Sequence, residues 1–167
     1  LYFGLLCLVV GFRRLIIDER ILHLFDWFSW ASLQRMEHLC FYLTLPLFMG
    51  FFSSLYRKHV PAATMRVSWL LISPFMFICL AFENRIYTEL NIAFQVLVLM
   101  SMLFTLFMYL KVLRAGGKKV KAFGASLLIL ALTVMHDVLK ANGIVGTPFN
   151  VAHFGVLAFV ISQSIAL

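Results

Sequence analysis

Charge is what this sequence has least of. Asp, Glu, Lys and Arg make up 13% of its 167 residues, about half the ~25% of ordinary soluble domains. Cysteine is scarce as well: Cys7, Cys40 and Cys79 lie in or at the edge of apolar stretches, and no CxxC occurs. That excludes a disulfide-stapled secreted module, and the three read as small buried hydrophobes. No charged n-region with a small-residue cleavage site precedes the first apolar run, so no signal peptide is read. Internal repeats and low-complexity segments are absent. So is the ~10-residue apolar/polar alternation of a membrane β-strand; the run from Ile92 to Leu110 shows none of it.

Apolar residues are abundant instead, at 63%, with Phe alone appearing 18 times. Soluble domains reach only ~45–50% on a similar count. A compact domain of this length could not hide that surface from water, which excludes an ordinary cytosolic enzyme and a disordered chain. The chain reads as one dissolved in lipid. Its net charge of +7 would suggest nucleic acid in a soluble protein. Here the basic residues sit in short gaps between apolar blocks, where they set membrane orientation. Without an aromatic-plus-basic strand pattern or zinc-finger spacing, no nucleic-acid partner is expected.

Six apolar blocks follow one another, at about Leu1–Ile17, Met36–Tyr56, Val67–Phe82, Leu90–Leu113, Ala122–Lys140 and Pro148–Leu167. A spanning helix needs ~20 residues. Four blocks meet this, the third is marginal, and the first looks truncated at its start. The fold class is therefore all-α, a polytopic membrane helix bundle. Residues 1–167 form one transmembrane domain that starts and stops inside apolar runs, as a piece of a longer protein would. Pro46 and Pro74 sit mid-block and should kink their helices. Asn142-Gly143 reads as a helix stop, Gly116-Gly117 as a chain break, and Thr147-Pro148 as an N-cap followed by Pro at the first helical position.

The gaps after the second and fourth blocks hold eight basic residues and no acid, five of them between Lys111 and Lys121. The other gaps hold six basic residues and every acid. The positive-inside rule places the former in the cytoplasm. The long stretch from Asp18 to Arg35, with Trp27, Phe28 and Trp30, reads as an outer interfacial helix.

Polar groups in lipid are functional hypotheses by default. Glu37 and His38 open the second block, Glu83 and Arg85 flank the turn after the third, His136 and Asp137 lie near the end of the fifth, and His153 enters the sixth. On this topology they share one outer layer, a water-accessible mouth for a ligand or a docked domain. Asp137 lies about one turn inside its helix and needs a partner such as His38, His153 or Arg85. No catalytic residues and no cofactor are read here. Two alternatives stand beside the receptor reading. His38, Asp137 and His153 offer a zinc-hydrolase ligand set, though without HxxxH or HExxH spacing. A small-molecule transporter would need a second polar cluster at mid-depth, where only scattered hydroxyls occur. Ala158, Ser162 and Ala166, with Gly155 close by, put small residues along the last block, for packing within the bundle or a homodimer seam.

One stretch carries a resemblance. His136-Asp137-Val138-Leu139-Lys140-Ala141-Asn142-Gly143-Ile144-Val145-Gly146-Thr147 leads into His153-Phe154-Gly155 and Phe159-Val160-Ile161-Ser162-Gln163-Ser164. This resembles the end of the bacterial seven-transmembrane receptors with diverse intracellular signalling modules. That family shows an Asn-Asp pair late in its sixth helix, then a Gly-Ile turn with Thr, then a Gly and Phe-x-x-x-Gln-Ser in its seventh. His136 stands where Asn is usual, and Asp137 is kept. Leu1–Cys7 looks like the family's second helix and Met36-Glu37-His38-Leu39 like the start of its third. The resemblance implies helices two to seven of a receptor in the bacterial inner membrane, with the first helix absent. It also implies an extracytoplasmic sensor domain before the bundle and a cytoplasmic kinase, cyclase or phosphatase after it. The segment itself would be non-enzymatic.

Overall fold

A computed structural model describes residues 1–17, 29–57, 59–61, 63–114, 118–147 and 150–166. Regular structure there is helical: α1 (Tyr2–Ile17), α2 (Trp30–Leu55), α3 (Ala63–Ala81), α4 (Asn84–Glu89), α5 (Asn91–Arg114), α6 (Lys118–Ala141) and α7 (Ala152–Ala166). Trp30–Leu55, Ala63–Ala81, Asn84–Arg114 and Phe123–Ala141 are long and apolar enough to cross a bilayer, and Ala152–Ser164 is apolar but shorter. The chain divides into two compact units, Leu1–Val98 and Leu99–Leu167.

Large apolar side chains stay exposed along these helices. On α5 they are Ile92, Val96, Met100, Leu103, Phe107 and Leu110, spaced by three or four so that they line one face. On α7 they are Phe154, Leu157 and Ile161. In water such stripes would drive aggregation. In hydrocarbon they are the solvent-facing surface, as the all-α membrane-bundle reading requires.

In the first unit α1 and α2 run antiparallel. The Tyr2 ring lies against Gly50, Phe3 meets Phe51 at 5.2 Å, and Arg13 reaches Glu37 at the other end. The core is aromatic: Phe94 of α5 inserts among Phe41, Tyr42 and Phe75 with ring centroids 4.7, 4.6 and 5.7 Å away. Tyr42, Ile72, Cys79, Tyr87 and Phe94 are completely buried in this cluster. Pro74 lies inside α3 and removes the donor that would serve the Leu70 carbonyl. The Ser73 hydroxyl donates to that same oxygen at 3.1 Å, so the freed carbonyl is satisfied in place.

In the second unit α6 and α7 are antiparallel neighbours. Gly155 packs against Thr133 and Leu130, Phe123 meets Phe159 at 5.8 Å, and Gln163 donates to the Ser126 hydroxyl at 3.2 Å. Gly124 lies directly under the Tyr109 ring, which a Cβ would displace.

Several boundaries differ from the sequence reading: α3 and α6 start four residues earlier than their blocks, at Ala63 and Lys118. The second block starts at Trp30 rather than Met36. Ser29 caps it, accepting from the Ser32 amide at 3.2 Å, so the stretch expected as interfacial merges into α2 from Trp30 onward. The part of that stretch at 18–28 lies outside the described residues, as does the Gly116-Gly117 break. The turn at Glu83–Arg85 continues into a short helix, α4, ahead of α5. The sixth block starts at Ala152 rather than Pro148, because its first turn is capped from another helix.

Candidate functional site

The cap on α7 is the carboxylate of Asp137. Its Oδ1 accepts from the Val151 amide at 2.8 Å and its Oδ2 from the Ala152 amide at 2.9 Å. An α-helix leaves its first N–H groups without internal partners, and the dipole there favours a negative charge. A residue fourteen positions earlier in the chain therefore does the work usually done by the N-cap side chain. His136 completes the arrangement. Its Nδ1 lies 3.0 Å from Asp137 Oδ1 and its Nε2 3.1 Å from the Thr147 hydroxyl. With Nδ1 protonated, the ring donates to the carboxylate and accepts from Thr147, so both nitrogens are used in the neutral state. The Thr147 hydroxyl thus pairs with His136; Pro148, the other half of the expected cap, lies outside the described residues.

Local sequence brings these groups together. α6 ends in a Schellman motif, with Gly143 at φ 73°, its amide on the Lys140 carbonyl at 2.9 Å, and the Ile144 amide on the Leu139 carbonyl at 3.0 Å. Only glycine takes that conformation cheaply. The chain then turns back, and Lys140 Nζ donates to the Asn150 side chain at 2.8 Å across the junction. His136 and Asp137 are only partly exposed, with 27% and 20% of their side-chain surface open, which shields the hydrogen bonds without sealing them. His153, one residue past Ala152, turns its ring over Phe154 at 3.9 Å, and its Nδ1 is enclosed without a hydrogen-bond partner.

The first unit has its own polar end. Glu37 pairs with Arg13 at 3.7 Å, and the Arg13 guanidinium lies 4.6 Å over Phe41. His38 Nδ1 sits 2.9 Å from the Gln34 carbonyl oxygen, and its ring edges onto Tyr87 at 4.9 Å. Asn84 donates to Gln34 Oε1 at 2.8 Å and accepts from the Tyr87 hydroxyl. Arg35 donates to the Phe82 carbonyl at 3.2 Å. These contacts tie α2 to the end of α3 and to α4. Glu83 precedes α4 without capping it through its side chain. Arg85 pairs with Glu89 at 3.3 Å on an exposed face.

Of the residues expected to form an outer mouth, Glu37 and His38 therefore share one end of α2, and His136 and Asp137 are bonded to each other. The partners found for Asp137 are His136 and two backbone amides. Gln34 and Tyr87 escaped the sequence reading, and Asn84 figured there only as part of the turn between Glu83 and Arg85. Gln34 lies four residues before His38, on the same helical face, which is the signal that was available. Among the described residues no group of three His, Cys, Asp or Glu side chains gathers to hold an ion.

Compared with known proteins, residues 1–167 match the family described as 7TM diverse intracellular signalling. No curated protein and no solved structure matches the chain.

Proposed function

The chain belongs to the 7TM diverse intracellular signalling family, and from that premise we propose that it relays an event on the outer side of the membrane to a cytoplasmic output module. This is a multi-pass transmembrane signalling region, of a receptor type that is generally not catalytic. The membrane is the bacterial inner membrane, with the lysine-rich gap after α5 in the cytoplasm. The partners are the bilayer, an extracytoplasmic sensor domain, a cytoplasmic kinase, cyclase or phosphatase, and a second copy meeting along α7. The input layer is Glu37, His38, Glu83, Arg85, His136, Asp137 and His153.

The observation that carries this is the grip of Asp137 on the N-terminus of α7. In this reading α7 is the last helix before the output module. The group that fixes its first turn is partly open to the outer side. A ligand or docked domain offering hydrogen-bond donors competes for the same oxygens. It shifts the bundle only by its difference in affinity between the gripped and released states. Below the grip, α7 is held to α6 by Gly155 against Thr133 and by Gln163 on Ser126. The signal therefore leaves as movement of the α6–α7 pair rather than by sliding of α7 alone.

The test uses the full-length receptor in its native membrane, with production of the output module's product as the measurement. Asp137→Asn and His153→Ala should change basal or ligand-stimulated output while membrane insertion stays normal. Unchanged output from both variants across a ligand screen would remove the outer layer as the input site.

A further inference from the structure

At the opposite end of α2 from Glu37 lies a concavity of about 300 Å³, lined by Ser54, Leu55, Tyr56, Arg57 and His59. Two of its lining side chains, Arg57 and His59, make no hydrogen bond or ion pair among the described residues, and both are exposed. No acid occurs anywhere between Glu37 and Glu83, whereas Arg57, Lys58 and Arg66 do. The cationic lining therefore has no acid near it in the chain. The helix end beneath it carries the negative pole of the α2 dipole, which the Arg57 charge must outweigh, and only part of its carbonyl set is occupied. The Tyr56 amide bonds to the Phe52 oxygen, the His59 and Val60 amides to the Tyr56 oxygen, and the Ser54 hydroxyl to the Phe51 oxygen.

Position decides what kind of anion. α2 is long and apolar enough to cross a bilayer over Trp30–Leu55, and a span with those ends puts the residues just past Leu55 at headgroup level. Leu55 supplies an apolar wall, and Tyr56 belongs to the residue type that favours this depth. A free phosphate uses only the donors; a lipid uses the donors and the apolar wall together. We propose that this concavity holds the phosphate of an anionic lipid headgroup, with Arg57 as the charged donor and His59 as the second donor. The proposal requires that α2 crosses the bilayer and is independent of the signalling reading.

The test places the full-length protein in nanodiscs of phosphatidylcholine with a fixed fraction of phosphatidylglycerol. After transfer to detergent, retained phosphatidylglycerol is counted by native mass spectrometry. Arg57→Gln and His59→Ala should each lower retention, about tenfold for the lost charge-assisted bond of Arg57. Arg66→Gln removes the same charge outside the concavity and should leave retention unchanged. Arg57→Lys keeps the charge and should restore most of it, which also separates a lost site from a lost fold. Equal losses in Arg57→Gln and Arg66→Gln would reduce the effect to diffuse attraction and overturn the site. Displacement of the lipid from the wild-type protein by millimolar inorganic phosphate would assign the concavity to a soluble anion and overturn the lipid assignment.

Discussion

The polar ends of the two units solve the same problem differently. In the first unit the stabilisation is spread over several contacts: side chains on side chains, Gln34 to Asn84, Asn84 to Tyr87, Arg13 to Glu37 and Arg85 to Glu89, with Arg35 and His38 on the Phe82 and Gln34 carbonyls. In the second, one carboxylate holds backbone, accepting two amides of α7 and a histidine. A network of side chains can lose one member and re-pair, because long polar groups near a membrane surface find water or each other. A helix start cannot re-pair so easily, since its amides are fixed in direction by the helix itself. The first arrangement distributes its stabilisation; the second concentrates it in a residue whose removal should be felt along a whole helix.

The sharpest way to break the contrast is to remove both carboxylates separately. Asp137→Ala deprives two amides and His136 of their acceptor and should destabilise the protein by about 3 kcal/mol, since bonds to a charged group contribute ~1.5–3 kcal/mol each and do not add fully. Glu37→Gln, which weakens one partly exposed ion pair, should cost less than about 1 kcal/mol. Unfolding in mixed detergent and dodecyl sulfate micelles measures both. Hydrogen exchange at Val151 and Ala152 should accelerate only in Asp137→Ala. Equal costs for the two would show that the carboxylate on backbone has no special weight.

Next comes the close approach below the junction. A Cβ at Gly155 would fall on the Thr133 hydroxyl and within 3.2 Å of the Leu130 Cα. The hydroxyl could rotate, but the backbone of α6 cannot move without disturbing the pair. Gly155→Ala should therefore cost about 1–3 kcal/mol, and Thr133→Ala in the same chain should recover part of it. A cost below about 0.5 kcal/mol would mean that α7 has room to shift against α6. Deeper still, Gln163 is almost fully buried and donates to Ser126, which is buried as well. Gln163→Leu should cost only about 0.6 kcal/mol, the usual worth of such bonds between membrane helices. A cost above 2 kcal/mol would instead make this bond a principal lock on the pair.

Much of this architecture could be read from the chain before any coordinates. Apolar block length gave the spanning helices, because hydrocarbon thickness fixes the number of residues required. Asn142-Gly143 marked the end of α6, because a positive φ there demands such a residue. Asp137 stood out as a carboxylate inside an apolar helix. Its partner was not legible: the acceptors and donors of backbone carry no letter in a sequence, so a search for a matching side chain looked to His38, His153 and Arg85 and passed over Val151 and Ala152. The same blindness placed the start of α7 at Pro148. Pro148 itself lies outside the described residues; α7 begins at Ala152, where a cap supplied by a distant residue acts. In the first unit, the pairing of Asn84 with Tyr87 went unread because the stretch after α3 was read as a turn, whereas α4 brings Asn84 and Tyr87 to one side through their three-residue spacing.

The smallest expected effect has the most informative sign. Tyr42 is completely buried among aromatic rings, and its hydroxyl has no hydrogen-bond partner. Its ring is well used, edging onto Phe94 at 4.6 Å and tilted toward Phe75 at 5.8 Å. An enclosed hydroxyl without a partner is a cost, because it gave up water and gained nothing in return. Tyr42→Phe keeps the ring and removes that cost, so it should leave stability unchanged or raise it slightly, in contrast to every polar deletion at the α6–α7 junction. A loss above about 1 kcal/mol would mean the hydroxyl is bonded in the membrane-embedded protein. The first unit's core would then hold a polar lock of its own, and the contrast between the two units would narrow to one of location rather than kind.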